Sequence, residues 1–471
     1  MRRTKIVCTV GPASSSPAMV ESLIRAGMDV ARLNFSHGDY DEHLKRIQLI
    51  RETAKKLGRT VGILQDLTGP KIRLGKIGSG SVELVAGKPF TFTVRDVPGD
   101  ERCVTLPYPE IFGQVKPHQM IYVDDAKLQL RVTDVTSDEI TTRVVVGGPL
   151  GSRKGVTIPN TCIGVSGVTE KDKRDLAFGL QHGVDWVAAS FVRTPLDLLP
   201  LQDVMQSCGK RIPLIAKIER PEAVRNIVDI IRAYDGAMVA RGDLGIEVPI
   251  EEVPGIQKNI IRHCNRLGKP VIIATQMLDS MITNPRPTRA EVTDVANAII
   301  DGADATMLSG ETAAGAYPVQ SVKMMDKIAR ATEKSLDYRG ILRSRTEDRA
   351  ADVTEAIGEA AANLAEDLRV PAIITCTFGG TTARLVSKFR PKATIVAAAS
   401  NDETARQLAL SWGVHPIYVP MAEDTDGLIA NAVDAARQSK LVKSGDTVVI
   451  IAGVPVGLPG NTSLIRVVRV G

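Results

Sequence analysis

The chain has 471 residues, 44% of them hydrophobic, and a formal net charge of +5. At about 150 residues per domain, that length has room for roughly three apolar cores. The basic residues are scattered, with no lysine–arginine block and no basic–aromatic interleaving to suggest nucleic acid, and no apolar run approaches the roughly 20 residues that span a bilayer. Six cysteines, Cys8, Cys103, Cys162, Cys208, Cys264 and Cys376, lie far apart with no CxxC pair. They suit buried thiols in a reducing compartment rather than a disulfide framework or a zinc site. The apolar run 6–10, between Arg2, Arg3, Lys5 and Gly11-Pro12, is too short for a signal-peptide core. A soluble, cytoplasmic chain is expected.

Residues 5–10 read as a strand, 16–26 as a helix with Pro17 in its first turn, and 29–35 as a second strand. A helix over 40–56 leads to a third strand, 61–65, ending at Asp66. The rhythm then changes. From 72 to 164 the chain runs in short alternating β-rich stretches, 82–85, 90–94, 120–123, 128–132 and 140–146, with turns between them. That pattern predicts an inserted β-barrel-like lid, flanked by Gly69-Pro70 and by the glycines at 164 and 167. Strand–helix alternation resumes near Thr169, with strands at 186–192, 214–216, 237–240, 271–274 and 305–308, and one amphipathic helix over 221–234. Eight βα units outside the insertion predict an α/β fold, a closed (β/α)8 TIM barrel with its active site at the C-terminal ends of the strands. A helix over 319–335 and a charged linker at 343–349 lead to a further alternation. Helices at 353–368, 382–388, 402–412 and 425–438 and strands at 372–377, 394–398, 415–419, 447–451 and 464–470 predict a C-terminal open α/β sheet. The expected domains are 1–69 plus 168–340, the inserted 70–167, and 341–471.

The strand ends carry the chemistry: Arg32, Asn34, Ser36, Asp66, Arg193, Lys217, Glu219, Asp243, Thr275, Ser309 and Glu311. Lys217 and Glu219, two apart on a strand, project to the same face. A cation beside two carboxylates suits a hard metal and an anionic substrate. A structural ion pair is the plain alternative, but unrelated surface charges would not all fall at strand ends. Arg32 and Arg73, with Lys217, would surround a phosphoryl group with fixed positive charge; an interdomain salt bridge is the competing reading for each arginine. Thr377-Phe378-Gly379-Gly380-Thr381-Thr382 joins a strand to a helix, with Arg384 close behind. It suits a phosphate, although turn and cap chemistry alone produces such loops. The glycine- and proline-rich 453–463 borders the same pocket or is a surface loop. No GxxxxGK[ST] and no GxGxxG followed by an acidic residue occurs, so a nucleotide would be held by the rim and a covering domain. A lone His37 reads as a structural hydrogen-bonder.

Together the segments KIVCTVGPAS (5–14), ARLNFSHG (31–38), QDLTGPKIR (65–73), LIAKIE (214–219), MVARGDLG (238–245), ATQML (274–278), TRAEVTDVANAI (288–299) and LSGETAAG (308–315) make the chain resemble pyruvate kinases along nearly its whole length. The resemblance implies a barrel, an inserted lid, a C-terminal regulatory domain, a homotetramer, and transfer of a phosphoryl group from phosphoenolpyruvate to ADP. It implies that Glu219 and Asp243 hold Mg²⁺, with Mn²⁺ as a substitute. Lys217 then meets the phosphoryl group and the enolate, and Arg32 and Arg73 bind phosphate. The amides of Gly242 and Asp243 hold the substrate carboxylate, and Thr275 lies near the enolate carbon with Ser309 and Glu311 in a proton network. Lys154 in the lid is implied as a nucleotide contact, with Asn34, Ser36, His37 and Arg73 on the same side. The loop of Thr377, Gly379, Gly380, Thr381, Thr382 and Arg384 is the implied effector site.

Relatives that need K⁺ have Glu at Lys71 and Thr at Leu67, while Asn34, Ser36 and Asp66 are kept here. A lysine ammonium replacing the potassium charge implies catalysis without K⁺. Ala126, where many relatives have Gly, changes little. Two other readings compete: a Mg²⁺-dependent phosphoenolpyruvate/pyruvate barrel lyase, which leaves the insertion and Lys217 unexplained, and a catalytically dead sugar-phosphate sensor, which leaves the intact rim unexplained.

Overall fold

The computed structural model describes residues 1–159, 161, 167–346, 352–454 and 462–471. Eight strands, Lys5–Thr9, Val30–Asn34, Gly62–Asp66, Trp186–Ala189, Leu214–Ile218, Gly236–Ala240, Val271–Ala274 and Ala305–Leu308, close into one parallel barrel. The first strand pairs with both the second and the eighth, which completes the ring. These strands are apolar runs rather than alternating ones because helices cover the outside and side chains fill the inside. Ile6, Val7, Ile63, Ile215, Val239 and Ile273 are all fully buried.

Two expectations need correcting here. The segment 221–234 is not one helix but two, Pro221–Arg225 and Ile227–Ala233, broken at Asn226 (φ −99°, ψ 17°). The Asn226 side chain donates to the Arg193 carbonyl (3.0 Å), which ties the break to the loop after the fourth strand. The fourth strand stops at Ala189 rather than 192, because Phe191 takes a left-handed φ of 55° and turns the backbone over the rim.

The insertion is a six-stranded sheet in the order Val156–Thr157, Met120–Val123, Leu128–Val135, Glu139–Val146, Pro89–Thr93, Cys103–Thr105, joined by a two-stranded ribbon, Ser81–Leu84 with Gly148–Gly151. Sheet and ribbon share one core containing Phe90, Phe92, Ile121, Leu130, Leu84 and Leu150. Cys103–Thr105, Gly148–Gly151 and Val156–Thr157 escape the sequence reading, being too short to show a period of two. At the entry hinge Gly69 has φ +68°, and a Cβ there would lie 2.7 Å from the Phe191 ring and 2.9 Å from Ser190 Cβ. Only glycine fits that turn. Gly167 of the glycine-flanked return is described, while the other glycine, at 164, and Cys162 lie outside the described residues.

The C-terminal sheet has the order Val414–Tyr418, Thr394–Ala399, Ala372–Thr377, Thr447–Gly453, Thr462–Arg469, with the last strand antiparallel. The charged stretch read as a linker is helical as far as it is described, within Tyr338–Thr346. Arg343 and Arg345 in its last turn complement the helix C-terminus, and Arg345 donates to the Lys388 carbonyl. Most of 453–463 lies outside the described residues.

The C-terminal domain docks on the N-terminal face of the barrel through buried polar contacts. Arg390 pairs with Asp304 (3.0 Å) and lies over the Trp412 ring. Asp185 receives Arg51 and Arg406 at 2.7 Å each and the Ile63 amide. Lys5 donates to the Val414 carbonyl (2.6 Å), and burial pushes its pKa down to about 8. Trp186 Nε1 donates to the Gln407 carbonyl (3.0 Å). Gly62 lets the Arg406 carbonyl approach to a distance that a Cβ would occupy (2.9 Å).

Candidate active site

The opposite face of the barrel gathers the expected residues from separate strands. Asp66 ends the third strand, buried, and takes Arg32 Nε at 2.7 Å on one oxygen and Lys217 Nζ at 3.2 Å on the other. Lys217 also lies 2.9 Å from Glu219 Oε1 and donates to Ser190 Oγ (2.7 Å). The result is a continuous buried run, Arg32–Asp66–Lys217–Glu219, with cations and carboxylates alternating. Burial disfavours the Lys217 charge, but Asp66 and Glu219 outweigh it and hold the pKa above the usual lysine range. Burial raises the Asp66 carboxyl, and Lys217 and Arg32 overcome that to hold it below its ordinary value. For Glu219 burial prevails, with Lys217 opposing, and the carboxyl is pushed up. Its second oxygen accepts the Phe191 amide at 2.8 Å, which is what the left-handed turn at Phe191 achieves.

Asp243 lies in the short helix Arg241–Glu247 that follows the sixth strand, half-buried, with Lys71 Nζ 3.6 Å away. Lys71 is also 3.6 Å from Asp125 of the lid, so one ammonium spans lid and rim. Thr275 and Gln276 both adopt left-handed backbone (φ 68° and 55°). The Thr275 hydroxyl oxygen accepts the Gly242 amide at 2.8 Å, so the donor expected to hold a carboxylate is engaged within the protein. Arg241 fixes this turn: it donates to the Thr275 carbonyl (2.8 Å), contacts Met277 Sδ, and pairs with Asp294 at 2.8 Å. Buried Glu311 accepts the amides of Ser309 (2.7 Å) and Leu278 (3.1 Å), and burial pushes its carboxyl up. Ser309 Oγ is buried with no hydrogen-bond partner among the described residues.

Other expected residues are placed but not drawn into this cluster. Arg73 bridges to Gly155 within the lid and donates to the Arg153 carbonyl (3.2 Å), and Lys154 pairs with Asp124 (3.0 Å). His37 is exposed, and its carbonyl meets the His43 ring at 3.0 Å. Asn34 Oδ1 accepts the Ser36 amide (3.1 Å), and the Leu67 carbonyl accepts the Ser190 hydroxyl (2.6 Å). In the C-terminal domain the loop is tied by its own bonds. Thr377 Oγ1 takes the Gly380 amide, Thr382 meets Thr462 at 2.9 Å, and Arg384 donates to the Gly379 carbonyl (2.9 Å).

Ser190, the contacts of Arg241 (itself visible beside Asp243 where an apolar run ends in charge) and the Lys71–Asp125 contact escape the sequence reading. Ser190 sits at a strand end and carries that signal. The other two depend on contacts between elements far apart in the chain.

Comparison with known proteins decides between phosphotransferase and lyase. The family model for the pyruvate kinase barrel domain matches residues 1–322, and that for the pyruvate kinase alpha/beta domain matches 355–468. The chain belongs to the pyruvate kinase family. It is 51% identical over 469 residues to a pyruvate kinase of Geobacillus stearothermophilus, covering 99% of this chain and 80% of that one. A pyruvate kinase of Sporosarcina psychrophila is 48% identical over 474 residues, covering 100% and 81%. The crystal structure of a pyruvate kinase from Cryptosporidium parvum superposes with a TM-score of 0.93 at 38% identity, covering 100% of this chain and 96% of that one. The chain is therefore a phosphotransferase of this family, with its TIM-type barrel, lid and C-terminal α/β domain. Among the described residues no helix is long and apolar enough to cross a membrane.

Proposed function

We propose that the rim moves the phosphoryl group of phosphoenolpyruvate to ADP, with Lys217 as the central cation. The observation that carries this reading is the buried run Arg32–Asp66–Lys217–Glu219. Phosphoryl transfer asks for positioning and charge neutralisation more than for covalent help, and a fixed, always-charged ammonium supplies both. Lys217 stabilises the phosphoryl group in transit and the enolate left behind, and Arg32 and Arg73 hold phosphate oxygens. The substrate carboxylate takes over the Gly242 and Asp243 amides. That frees the Thr275 hydroxyl to face the enolate carbon, and the Ser309 hydroxyl, on a residue whose backbone amide Glu311 holds, passes the proton that makes pyruvate. Glu219 and Asp243 present oxygen donors only, a set that suits Mg²⁺ or Mn²⁺ completed by substrate oxygens and water. Held by those two carboxylates, such an ion would supply positive charge to the transferring phosphoryl group. The nucleotide lies between the rim, at Asn34, Ser36 and His37, and the lid, at Arg73 and Lys154. A coupled assay of pyruvate release tests the reading: phosphoenolpyruvate should yield pyruvate with ADP and a divalent ion, and release independent of ADP would overturn it.

The reading extends to K⁺, which this chain does not need. Asp66 already carries two cations, the Asn34 and Leu67 oxygens already accept hydrogen bonds, and Lys71 adds an ammonium beside Asp243. Turnover in tetramethylammonium should equal that in K⁺, and a large K⁺ activation would overturn this part. A homotetramer, a cytoplasmic location and a phosphorylated effector on the Thr377–Thr382 loop complete the proposal. Light scattering, fractionation and effector titration test them.

A further inference from the structure

Glu219 follows the fifth barrel strand, and Asp243 lies in the helix Arg241–Glu247 that follows the sixth. The parallel ladder between those strands runs as far as Ile218 and Val239, so both carboxylates lie beyond the last strand pairing. Their separation therefore depends on contacts between the two segments that follow.

One such contact is the ion pair of Arg220 with Glu247. Arg220 Nη1 donates to Glu247 Oε1 at 2.6 Å, and Nη2 donates at 3.1 Å to the Thr161 carbonyl on the return from the lid. Its Nε stands 3.6 Å from Glu222 Oε2. The two side chains of the pair are nearly closed to solvent, with 11% and 3% exposed. Glu247 ends its helix, where the backbone dipoles disfavour negative charge. Burial, with Glu222 and Asp243 adding to it, pushes the carboxyl up to about 7 against the pull of Arg220. Its second oxygen is buried with no hydrogen-bond partner among the described residues. Apolar side chains often fill the place of a buried ion pair at no greater cost. The pair therefore points to a role other than stability.

The covalent path on either side completes a brace. Arg220 is the chain neighbour of Glu219. Glu247 lies four residues after Asp243, one helical turn or about 6 Å along the axis and on nearly the same face. Glu219, Arg220, Glu247 and Asp243 thus form a chain of short links, and a shift at the pair moves the carboxylate beside it. Arg220, Glu247 and Asp243 also line one cavity of about 50 Å³ between lid and rim, together with Phe191, whose amide holds Glu219.

We propose that Arg220 and Glu247 are positioning residues that set the spacing of Glu219 and Asp243 for a divalent ion. This rests on the reading of Glu219 and Asp243 as the metal ligands, through which both residues of the pair act.

Manganese titrations followed by electron paramagnetic resonance, on the full chain without phosphoenolpyruvate or ADP, test this apart from turnover. Arg220→Met should weaken Mn²⁺ binding about tenfold, as loss of a partner behind a metal ligand does. It also strands Glu247, so the double variant Arg220→Met with Glu247→Leu separates positioning from stability. With both partners apolar, the melting temperature should return close to that of the unmodified chain, while Mn²⁺ binding stays about tenfold weaker. Binding restored to its unmodified strength in the double variant would overturn the proposal. Glu219→Gln distinguishes failure of the brace from failure of the site it serves. Mn²⁺ binding lost in Glu219→Gln but unchanged in Arg220→Met would leave the metal ligands standing and overturn the brace. Unchanged binding in Glu219→Gln would overturn both.

Discussion

The two ends of the barrel use the same residue types to opposite effect. At the N-terminal end two buried carboxylates are matched and closed: Asp304 with Arg390, and Asp185 with Arg51 and Arg406. At the C-terminal end Asp66 is matched in the same way, but the network then opens. Glu219 is pushed toward protonation, Asp243 is half-buried with Lys71 3.6 Å away, and among the described residues the buried Ser309 hydroxyl has no partner. A matched buried charge that loses its partner costs several kcal/mol, whereas an unmatched one is ready to take a ligand. Closed charge pairs are concentrated at one end and open groups at the other, where the proposed chemistry lies, as the geometry of βα barrels favours.

The comparison can be broken most sharply at Lys217. Lys217→Met should lower kcat by on the order of 10³-fold or more while circular dichroism stays that of the folded chain. Near-normal turnover would remove Lys217 from its role. Asp304→Ala should do the reverse: it strands Arg390 in the interior, costing about 3–5 kcal/mol by denaturant titration, and the folded fraction should keep its kcat. Loss of kcat without loss of stability would erase the distinction between the ends. Arg241→Ala sharpens it, since this arginine sits at the rim and braces the Thr275 turn while paired with Asp294. Its kcat should fall by up to about 10²-fold through misplacement, with a smaller change in KM.

The smallest effect is one of pH. Burial and the nearby Lys5 hold the His415 pKa down to about 3, with Arg2 adding to this and Asp29 opposing. The unfolded chain protonates this group near 6.5, so between those values the folded state binds fewer protons. Its contribution to stability is full above about 6.5 and is lost as the pH falls toward 3. Melting temperatures from pH 7 to 4 should fall less steeply in His415→Asn, and an identical slope would exclude this group.

Much of the rim was legible because a barrel imposes a rule: whatever stands at the C-terminal ends of the strands converges. Lys217, Glu219, Asp66 and Arg32 could be assembled from that rule before any distance was known. Arg241 was visible at a strand end, but its target, the Thr275 carbonyl, belongs to a neighbouring loop and leaves no trace in local sequence. Lys71 illustrates the same limit, because its span from Asp243 to Asp125 exists only once lid and barrel are set together. The broken helix at Asn226 kept its apolar period on both sides of the break, so periodicity alone concealed it. The short lid strands gave no alternation to read.

Gly69 carries a consequence for how a movement of the lid would reach Lys217 and Glu219. Its backbone is pressed on Ser190 and Phe191 with no space for a side chain, and its amide is held by Asp172 at 3.0 Å. Those same two residues steady Lys217 through the Ser190 hydroxyl and Glu219 through the Phe191 amide. Hinge and catalytic loop are therefore geared to one another. A rotation of the lid about Gly69 bears directly on the backbone that sets the distance between the central cation and the carboxylate beside it.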